Sequence, residues 1–220
     1  AKWLRDPAGY NALRTRAGPS AALRTGPSAP LRAGRVKFEG KVAVVTGASR
    51  GIGRAIAEEL GRGGASIVVN YRSGAEAAEQ VVQLIQAAGG KAAAHQADVG
   101  QVQQAQGLIQ FAIDHFGDLQ ILVNNAGIIR DGLIMTIKEA DLDAVLQTNL
   151  LGTYFCCKHV IPVMREQRFG RIVNVSSIAG RSYSRTASVA YTCSKYAVIG
   201  LTRQFAATFG RDGITVNCVC

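Results

Sequence analysis

A short glycine-rich stretch, Lys41–Gly53, constrains the fold of this chain more than any other part of its sequence. It begins with the apolar residues of a buried strand (KVAVVT), and Gly47, Gly51 and Gly53 then interrupt that pattern. Apolar residues return at helical spacing over Arg54–Arg62. A strand, a glycine turn and a helix form a site for a dinucleotide phosphate, because glycine lets the backbone approach the phosphates and the helix N-terminus offers free N–H groups. The spacing is G-x-x-x-G-x-G, so the turn alone is a weak signal.

Composition narrows the class of protein. The chain has 220 residues, 48% of them hydrophobic, which suits one globular core. Of the net charge of +10, residues 1–37 carry eight Lys or Arg and one acid, which leaves only +3 for the remaining 183 residues. The folded part is therefore not a basic nucleic-acid surface. No run of about 18 apolar residues occurs, so we expect no membrane span.

Residues 1–37 differ from the rest of the chain. They hold four of the five prolines and repeat short Arg-, Ser- and Gly-containing segments, so we expect a disordered extension. The Arg-rich, acid-poor composition suits a transit peptide to a plastid or mitochondrion. An unprocessed extension or sequence outside the true reading frame is the alternative, and the protein would then be cytoplasmic. We assign residues 38–220 to one folded domain.

From residue 38 onward, predicted strands and helices alternate. The strands are Lys41–Thr46, Ser66–Asn70, Lys91–His95, Leu119–Asn124, Gly170–Ser176 and Thr215–Val219. The helices are Arg54–Arg62, Ala75–Ala88, Val102–Phe116, Lys138–Gln167 (one long helix or two abutting ones, kinked at Pro162) and Ala190–Phe209. This alternation predicts an α/β fold with a doubly wound parallel sheet, whose ligands bind beyond the carboxyl ends of the strands.

The cysteines predict neither a disulfide framework nor a metal site. Their number is odd, and they form no C-x-x-C pair. Reduced and mostly buried thiols are therefore expected. Cys218 and Cys220 are spaced i, i+2, which places them on the same face of one strand. The five are Cys156, Cys157, Cys193, Cys218 and Cys220.

Four polar residues are candidates for chemistry at the strand ends. Tyr191 and Lys195 are four residues apart, so they share one face of a predicted helix. An ordinary phenol, with a pKa of about 10, is a poor acid–base group near neutrality, and a neighbouring ammonium favours its ionised form. Ser177 follows the fifth strand, where its hydroxyl could hold a carbonyl oxygen. Asn149 lies within a predicted helix, where Asn is unfavourable. Each pattern alone is common by chance.

Taken together, these residues resemble the short-chain dehydrogenase/reductase family over about residues 38–220. The resemblance implies a Rossmann fold and an NAD(P)-dependent oxidoreductase that acts on CH–OH groups. The matching motifs, in chain order, are Thr46–Gly53 (TGASRGIG), Asn124–Gly127 (NNAG), Asn149, Ser177 and Tyr191–Lys195 (YTCSK).

The resemblance also implies roles for individual residues. Tyr191 would protonate the carbonyl oxygen during reduction, and Lys195 would stabilise its phenolate and bond the nicotinamide ribose. Ser177 would hold and polarise the carbonyl. Asn149 would position a water that links Lys195 to a proton relay. The protein would thus deliver the proton, and the hydride would come from the cofactor.

Cofactor contacts follow from the same resemblance. Asp98, before Val99, would bond the adenine amino group. Asn125 and Gly127 would lie beside the riboses, whereas Asn124 would brace the sheet. The residues predicted to bind cofactor are Gly47, Ser49, Arg50, Gly51, Ile52, Gly53, Arg72, Asp98, Val99, Asn125, Ala126, Gly127, Tyr191 and Lys195.

The end of the second strand bears on which nicotinamide cofactor is used. An acid there would bond the ribose diol of NAD and repel a 2′-phosphate. The strand instead ends Asn-Tyr-Arg-Ser, with Arg72 just beyond it and Arg50 in the glycine turn. Two guanidinium groups converging on this point suit a phosphate, so we expect NADP(H) rather than NAD(H).

Two segments bear on the substrate. Ala126–Met135 (AGIIRDGLIM) and Phe38–Lys41 (FEGK) resemble 3-oxoacyl-acyl-carrier-protein reductases. The implied reaction is NADPH-dependent reduction of a 3-oxoacyl thioester, on acyl carrier protein or CoA, in fatty acid biosynthesis. Arg168 falls at one basic position that would suit an acidic carrier, but Asp212 stands at the other.

Two departures from that pattern matter. The loop from Ser177 to Tyr191 is one residue longer than in the carrier-protein reductases, and Arg181–Thr186 is polar and bulky, so another carbonyl or alcohol substrate stays open. Family members also continue beyond the position of Cys220 with a Pro-Gly turn, a substrate-covering segment and a last strand. We therefore expect this chain to be a fragment.

Two other classes of function fit these residues less well. A cofactor-binding regulator without turnover has no need of Ser177, Tyr191 and Lys195 together. A nucleic-acid-binding function rests only on residues 1–37. The family usually forms dimers or tetramers through long helices around residues 140–165 and 190–209, so a homo-oligomer is expected for the full-length protein.

Overall fold

The computed structural model describes residues 38–184 and 186–220. The extension expected over residues 1–37, and its interpretation as a transit peptide, lie outside the described residues. Within them, six parallel strands form one sheet in the order β3-β2-β1-β4-β5-β6. The strands are β1 (Val42–Val45), β2 (Ser66–Tyr71), β3 (Lys91–Gln96), β4 (Ile121–Asn124), β5 (Gly170–Val175) and β6 (Ile214–Val219).

Six α-helices connect these strands in the described part of the chain. They are α1 (Gly51–Arg62), α2 (Ala75–Ala87), α3 (Val102–Phe116), α4 (Glu139–Leu146), α5 (Gly152–Glu166) and α6 (Val189–Phe209). A π-helical turn, Gln147–Leu151, joins α4 to α5, and short 3₁₀ turns occupy Ile178–Gly180 and Gly210–Asp212. None of these helices is both long and apolar enough to cross a membrane.

The strand order determines where a ligand can bind. The chain moves outward from β1 through β2 to β3, and then returns to lay β4 on the other side of β1. The connections after β1 and β4 therefore leave in opposite directions and open a crevice at the carboxyl ends of these strands. Val45 pairs with Val69 of β2 on one side and with Val123 of β4 on the other, so the crevice lies beside Thr46.

Both faces of the sheet are covered, as predicted for a doubly wound fold. On one face α1 and α2 pack against the sheet through residues such as Ile67 and Val81. On the other face α3, α5 and α6 enclose a core that includes Leu108, Leu122 and Val160. Burial on both faces explains why the central strands are continuous apolar runs.

Most predicted elements agree with the structure to within a residue or two. The first helix begins at Gly51 rather than at Arg54, because the glycine turn itself supplies the first helical residues. The fourth strand begins at Ile121 rather than at Leu119. The Gln120 N–H still donates to the Val42 carbonyl oxygen at 3.1 Å, but the Val42 N–H donates to the side-chain Oε1 of Gln120 at 2.8 Å, so a side chain supplies one bond of the ladder there.

The predicted long helix over 138–167 is one continuous helical stretch with a π-turn at its middle. Backbone angles remain helical on both sides of that turn, at Gln147 and at Gly152. A methyl group at Gly152 would lie 2.8 Å from Cγ2 of Val99, so this glycine lets the helix pass close to the end of β3. Pro162 lies inside α5.

Candidate active site

The glycine turn has the geometry of a phosphate cradle. Gly47 and Gly51 have φ values of +61° and +59°, a region that side chains other than glycine rarely occupy. A methyl group at Gly47 would lie only 3.0 Å from Cα of Ala126. No side chain caps the start of α1 at Arg50, so the first N–H groups of the helix are left for an anion.

A cavity of about 440 Å³ lies directly over this turn, at the carboxyl ends of β1, β2 and β4. Ten of the residues predicted to bind cofactor line it: Gly47, Ser49, Arg50, Ile52, Arg72, Asp98, Val99, Asn125, Ala126 and Gly127. Sequence reasoning missed several further lining residues, among them Asn70, Tyr71, Ala97, Ile128 and Thr148. Asn70 also accepts the Gly47 N–H at 3.2 Å, so it helps to shape the turn.

Gly51 and Gly53 are absent from the cavity lining, although both were predicted to bind cofactor. Gly53 is buried, and a methyl group there would lie 2.4 Å from Asn125 Nδ2 and 2.5 Å from the Gly47 carbonyl oxygen. Its missing side chain lets α1 pack against the turn. The structure therefore gives Gly53 a packing role in shaping the site.

Thr46 and Asn125 join the turn to the segment after β4. The Asn125 amide donates to the carbonyl oxygens of Thr46 at 2.9 Å and Gly47 at 3.1 Å. The Thr46 hydroxyl oxygen accepts the backbone N–H groups of Asn125 and Ala126. Asn125 thus lines the cavity while its side chain braces the turn. Asn124 donates to Asn174 Oδ1 at 2.9 Å between β4 and β5, which is the bracing role predicted for it.

The two predicted arginines both face the cavity, and one has an acidic neighbour. Arg72 Nη1 lies 3.9 Å from Asp98 Oδ2, and both side chains are partly exposed. The other carboxylate oxygen of Asp98 accepts the Gly100 N–H at 2.9 Å. Arg50 lines the same cavity. This end of the cavity therefore presents two guanidinium groups and one carboxylate.

Helix α6 places Tyr191 and Lys195 in its first two turns. Ser188 caps the helix by accepting the Tyr191 N–H at 3.3 Å, which fixes the start of the helix. The Lys195 ammonium lies 5.6 Å from the centre of the Tyr191 ring. A methyl group at Gly127, on the cavity wall, would lie 3.6 Å from Lys195 Nζ. The amine is therefore near both the tyrosine ring and the cavity wall, although neither Tyr191 nor Lys195 lines the cavity itself.

Lys195 is unusual among lysines because it is buried, with only 4% of its surface exposed. Its ammonium donates to the Val175 carbonyl oxygen at 2.8 Å. Burial lowers the pKa of Lys195, while the neighbouring thiols of Cys218 and Cys220 act in the opposite direction. A buried cation with one backbone partner is a typical feature of functional sites.

Ser177 lies at the carboxyl end of β5, as predicted. Its hydroxyl oxygen accepts the Ala179 N–H at 3.2 Å and caps a short 3₁₀ turn. The preceding Ser176 donates its hydroxyl to the Lys195 carbonyl oxygen at 2.9 Å. The segment that carries Ser177 is therefore joined directly to the helix that carries Tyr191 and Lys195.

Asn149 is buried in the π-turn, and its side chain makes three hydrogen bonds. It accepts the Ile128 N–H at 2.8 Å and donates to the Ile128 carbonyl oxygen at 3.0 Å. It also donates to Ser194 Oγ at 3.1 Å, and Ser194 in turn donates to the Tyr191 carbonyl oxygen. Asn149 thus ties the loop after β4 to α6. Sequence reasoning missed Ser194, and the water-positioning role of Asn149 stays a prediction.

Two segments that border the site are rich in exposed apolar side chains. One follows β4 and carries Leu133, Ile134 and Met135, and the other carries Ile178 and Tyr183. The structure describes the predicted bulky loop except for residue 185. These side chains are available to a substrate that reaches beyond the catalytic residues.

The carboxylate at position 212 is paired in the structure. Asp212 lies 2.9 Å from Nε of Arg165, a residue that sequence reasoning did not single out. Arg168 has a φ of 56°, and a methyl group at Gly213 would lie against its carbonyl oxygen. Arg168 and Asp212, the two positions that could face an acidic carrier protein, therefore lie on adjoining turns. Arg165 neutralises the charge of Asp212.

Known proteins are similar to this chain in both sequence and fold. The model of the short chain dehydrogenase family matches residues 41–220. The chain is 44% identical over 179 residues to the 3-oxoacyl-[acyl-carrier-protein] reductase FabG of Staphylococcus aureus (strain Mu50), covering 81% of this chain and 72% of that protein. It is 43% identical to the 3-oxoacyl-[acyl-carrier-protein] reductase of Synechocystis, with the same coverage.

A solved structure has the same fold as this chain. A short chain dehydrogenase from Mycobacterium avium superimposes with a TM-score of 0.79 at 41% identity, covering 82% of this chain and 66% of that one, just under two thirds. These matches confirm the family resemblance and the parallel-sheet fold. The chain belongs to the short-chain dehydrogenase family, whose members are NAD(P)-dependent oxidoreductases acting on CH–OH groups.

Proposed function

We propose that this protein reduces a 3-oxoacyl thioester to the 3-hydroxyacyl form with NADPH, a reaction of fatty acid biosynthesis. The observation that carries the catalytic part is the buried Lys195 ammonium, which lies near both the Tyr191 ring and the cavity wall at Gly127. The substrate class is supported by relatives that are 43–44% identical and are named 3-oxoacyl-[acyl-carrier-protein] reductases.

The residues of the cavity suit a dinucleotide. The turn leaves room for phosphates because Gly47 has no side chain, and α1 directs uncapped N–H groups toward it. Ser49 and Ile52 would flank the pyrophosphate, and Asp98 would take the adenine amino group. Arg50 and Arg72 would hold the 2′-phosphate of NADPH, which supports NADP(H) over NAD(H).

In the proposed reaction a bound nicotinamide supplies the hydride to the carbonyl carbon. Ser177 donates a hydrogen bond to the carbonyl oxygen and holds it toward Tyr191. The Tyr191 hydroxyl then transfers its proton to that oxygen, which converts the ketone to an alcohol and leaves a phenolate. The Lys195 ammonium stabilises the phenolate, and its bond to the Val175 carbonyl oxygen keeps it in place.

Reprotonation of Tyr191 requires a path to solvent. Asn149 connects to α6 through Ser194 and to the loop after β4 through Ile128. We include in the proposal that Asn149 holds a water beside Lys195, as the family resemblance implies. The proton would return to Tyr191 along the ammonium and that water.

We propose further that the acyl group is carried by acyl carrier protein and that the full-length protein forms a homo-oligomer. An acidic acyl carrier protein would be attracted to Arg168, and the pairing of Asp212 with Arg165 reduces the repulsion that Asp212 would cause. A homo-oligomer would bury the face formed by α5 and α6, where Tyr154, Phe205 and Phe209 line a cavity of about 430 Å³.

A steady-state assay tests the proposed function. It compares NADPH with NADH, and acetoacetyl thioesters of CoA and of acyl carrier protein with simple ketones. We expect turnover of the thioesters with NADPH. Turnover of ketones alone would favour the second candidate, reduction of another carbonyl, which the bulky loop around Tyr183 supports. Preference for NADH would contradict the roles of Arg50 and Arg72.

A further inference from the structure

Two cysteines flank the last residue of β6. Cys218, in β6, is partly buried, and Cys220, one residue past the end of β6, is exposed. Both line a cavity of about 470 Å³, together with Thr202 and Arg203 of α6. Neither thiol has a part in the proposed reaction.

The residue between these thiols anchors the catalytic segment. The Val219 carbonyl oxygen accepts the Ser176 N–H at 2.7 Å. Ser176 precedes Ser177 and donates its hydroxyl to the Lys195 carbonyl oxygen at 2.9 Å. Val219 also pairs in register with Val175, whose carbonyl oxygen holds the Lys195 ammonium. A shift of Val219 would therefore be transmitted to Ser177 through Ser176, and to Lys195 through Val175.

A bond between the two sulfurs would displace Val219. Residues i and i+2 of an extended strand have Cα atoms about 6.6–6.8 Å apart. Disulfides most often join Cα atoms about 5.5–6 Å apart, and about 6.8 Å is the usual upper limit. Closing the bond between Cys218 and Cys220 thus shortens the Cα–Cα distance across Val219 by about 0.6–1.3 Å. The hydrogen bond from Ser176 would be the first to weaken.

We propose that Cys218 and Cys220 form a reversible dithiol–disulfide pair that responds to peroxide and lowers the activity of the adjacent site. A peroxide oxidises one thiol to a sulfenic acid and releases water (or an alcohol from an organic peroxide). The second thiol attacks that sulfur, forms the S–S bond and releases a second water. Two thiols are oxidised, one peroxide is reduced, and a thiol reductant reverses the change.

The other three cysteines offer matched comparisons. Cys156 and Cys157 are fully buried and are therefore shielded from peroxide, whereas Cys220 is exposed. Cys193 is exposed but lies on α6 with no cysteine at i±2. Cys193→Ala is therefore the control for general thiol oxidation near Tyr191.

The experiment treats the chain with hydrogen peroxide, alkylates the remaining thiols and analyses the tryptic peptide that begins at Asp212. We expect that peptide to lose two hydrogen atoms and to escape alkylation, and a thiol reductant to restore both thiols. NADPH-dependent turnover should fall about tenfold in parallel and recover on reduction. After peroxide treatment, Cys193→Ala should lose as much turnover as the unmodified chain. The turnover of Cys218→Ala and of Cys220→Ala should fall by less than about twofold.

Two results would overturn the proposal. One is full alkylation of Cys218 and Cys220 after peroxide treatment, since no bond would then have formed. The other is equal, reversible loss of turnover in Cys218→Ala, Cys220→Ala and the unmodified chain. The mass measurement requires no substrate, so failure of the proposed reductase activity would leave the test of the disulfide intact.

Discussion

A methyl group placed on Gly53 would lie 2.4 Å from the side-chain nitrogen of Asn125, which is closer than the non-bonded contacts that Cβ atoms make in proteins. Gly53 belongs to α1, and Asn125 belongs to the segment after β4, so this contact sets the distance between the two walls of the cofactor cavity. The Asn125 amide in turn donates to the carbonyl oxygens of Thr46 and Gly47. The glycine turn keeps its shape only while α1 can approach this closely.

We therefore expect Gly53→Ala to destabilise the protein by about 1–3 kcal/mol and to weaken cofactor binding. Urea denaturation and a fluorescence titration with NADPH measure the two effects. Gly107→Ala is the matched control, because a methyl group at this glycine of α3 would meet no atom within 4 Å. That variant should be unchanged or up to about 1 kcal/mol more stable. Equal stability of the two variants would contradict the packing role of Gly53.

Removal of the Asn149 side chain should affect stability and turnover together. Asn149→Ala leaves the N–H and carbonyl groups of Ile128 without their partner, which should cost about 2 kcal/mol of unfolding free energy. It also releases Ser194 from the loop after β4, so turnover should fall. Gln103→Ala, on the exposed side of α3, should change stability by less than about 0.5 kcal/mol. A fully stable Asn149→Ala protein would show that the network is dispensable.

The sequence predicted what depends on local pattern and chain order. The βαβ alternation determined which residues follow strands, and parallel strands bring those residues to one edge, so Ser177, Asp98 and the glycine turn were found together. The four-residue spacing of Tyr191 and Lys195 predicted their shared helix face. The positions at the strand ends and the shared helix face can both be predicted without information on contacts between residues far apart in the chain.

Contacts between distant elements could not be predicted in this way. The bonds of Asn149 to Ser194 and of Arg165 to Asp212 join side chains whose spacing in the chain carries no periodic signal. The packing contact of Gly53 was missed for the same reason. Its neighbour Asn125 is 72 positions away, and only the packing of α1 against the segment after β4 brings them together.

Cofactor preference should depend on the arginine after β2. We expect Arg72→Ala to weaken NADPH binding about tenfold and to leave NADH binding nearly unchanged, because only NADPH carries the 2′-phosphate. Arg62→Ala is the control, since Arg62 is an exposed arginine near the C-terminal end of α1 that pairs with Glu59. Isothermal titration with both cofactors measures the change. Equal weakening of NADPH and NADH would mean that Arg72 has no part in selecting the phosphate.

Burial of the Lys195 amine should make stability depend on pH. Burial lowers the pKa of Lys195 in the folded protein, so the unfolded chain binds this proton more tightly. The free energy of unfolding should therefore rise with pH between the lowered folded pKa and the unfolded value of about 10.4. Lys195→Met removes this contribution together with the opposing effect of the Cys218 and Cys220 thiols on Lys195, and groups that do not interact with Lys195 cancel in the comparison.

We expect the Lys195→Met protein to be the more stable of the two near neutrality, with the difference shrinking as the pH approaches about 10. Denaturant unfolding of both proteins across this range gives the two curves. Parallel curves would indicate that Lys195 is not desolvated in the folded state. Turnover by Lys195→Met should be lost at every pH.

The most direct measurement compares Tyr191→Phe with the unmodified protein in both cofactor binding and turnover. The substitution removes one oxygen atom and keeps the ring beside Lys195, and Tyr196→Phe on the same helix is the matched control. We predict that NADPH binding changes by less than about twofold while turnover falls about 10³-fold or more, and that Tyr196→Phe retains full turnover. Turnover by Tyr191→Phe close to that of the unmodified protein would contradict the assignment of Tyr191 as the proton donor.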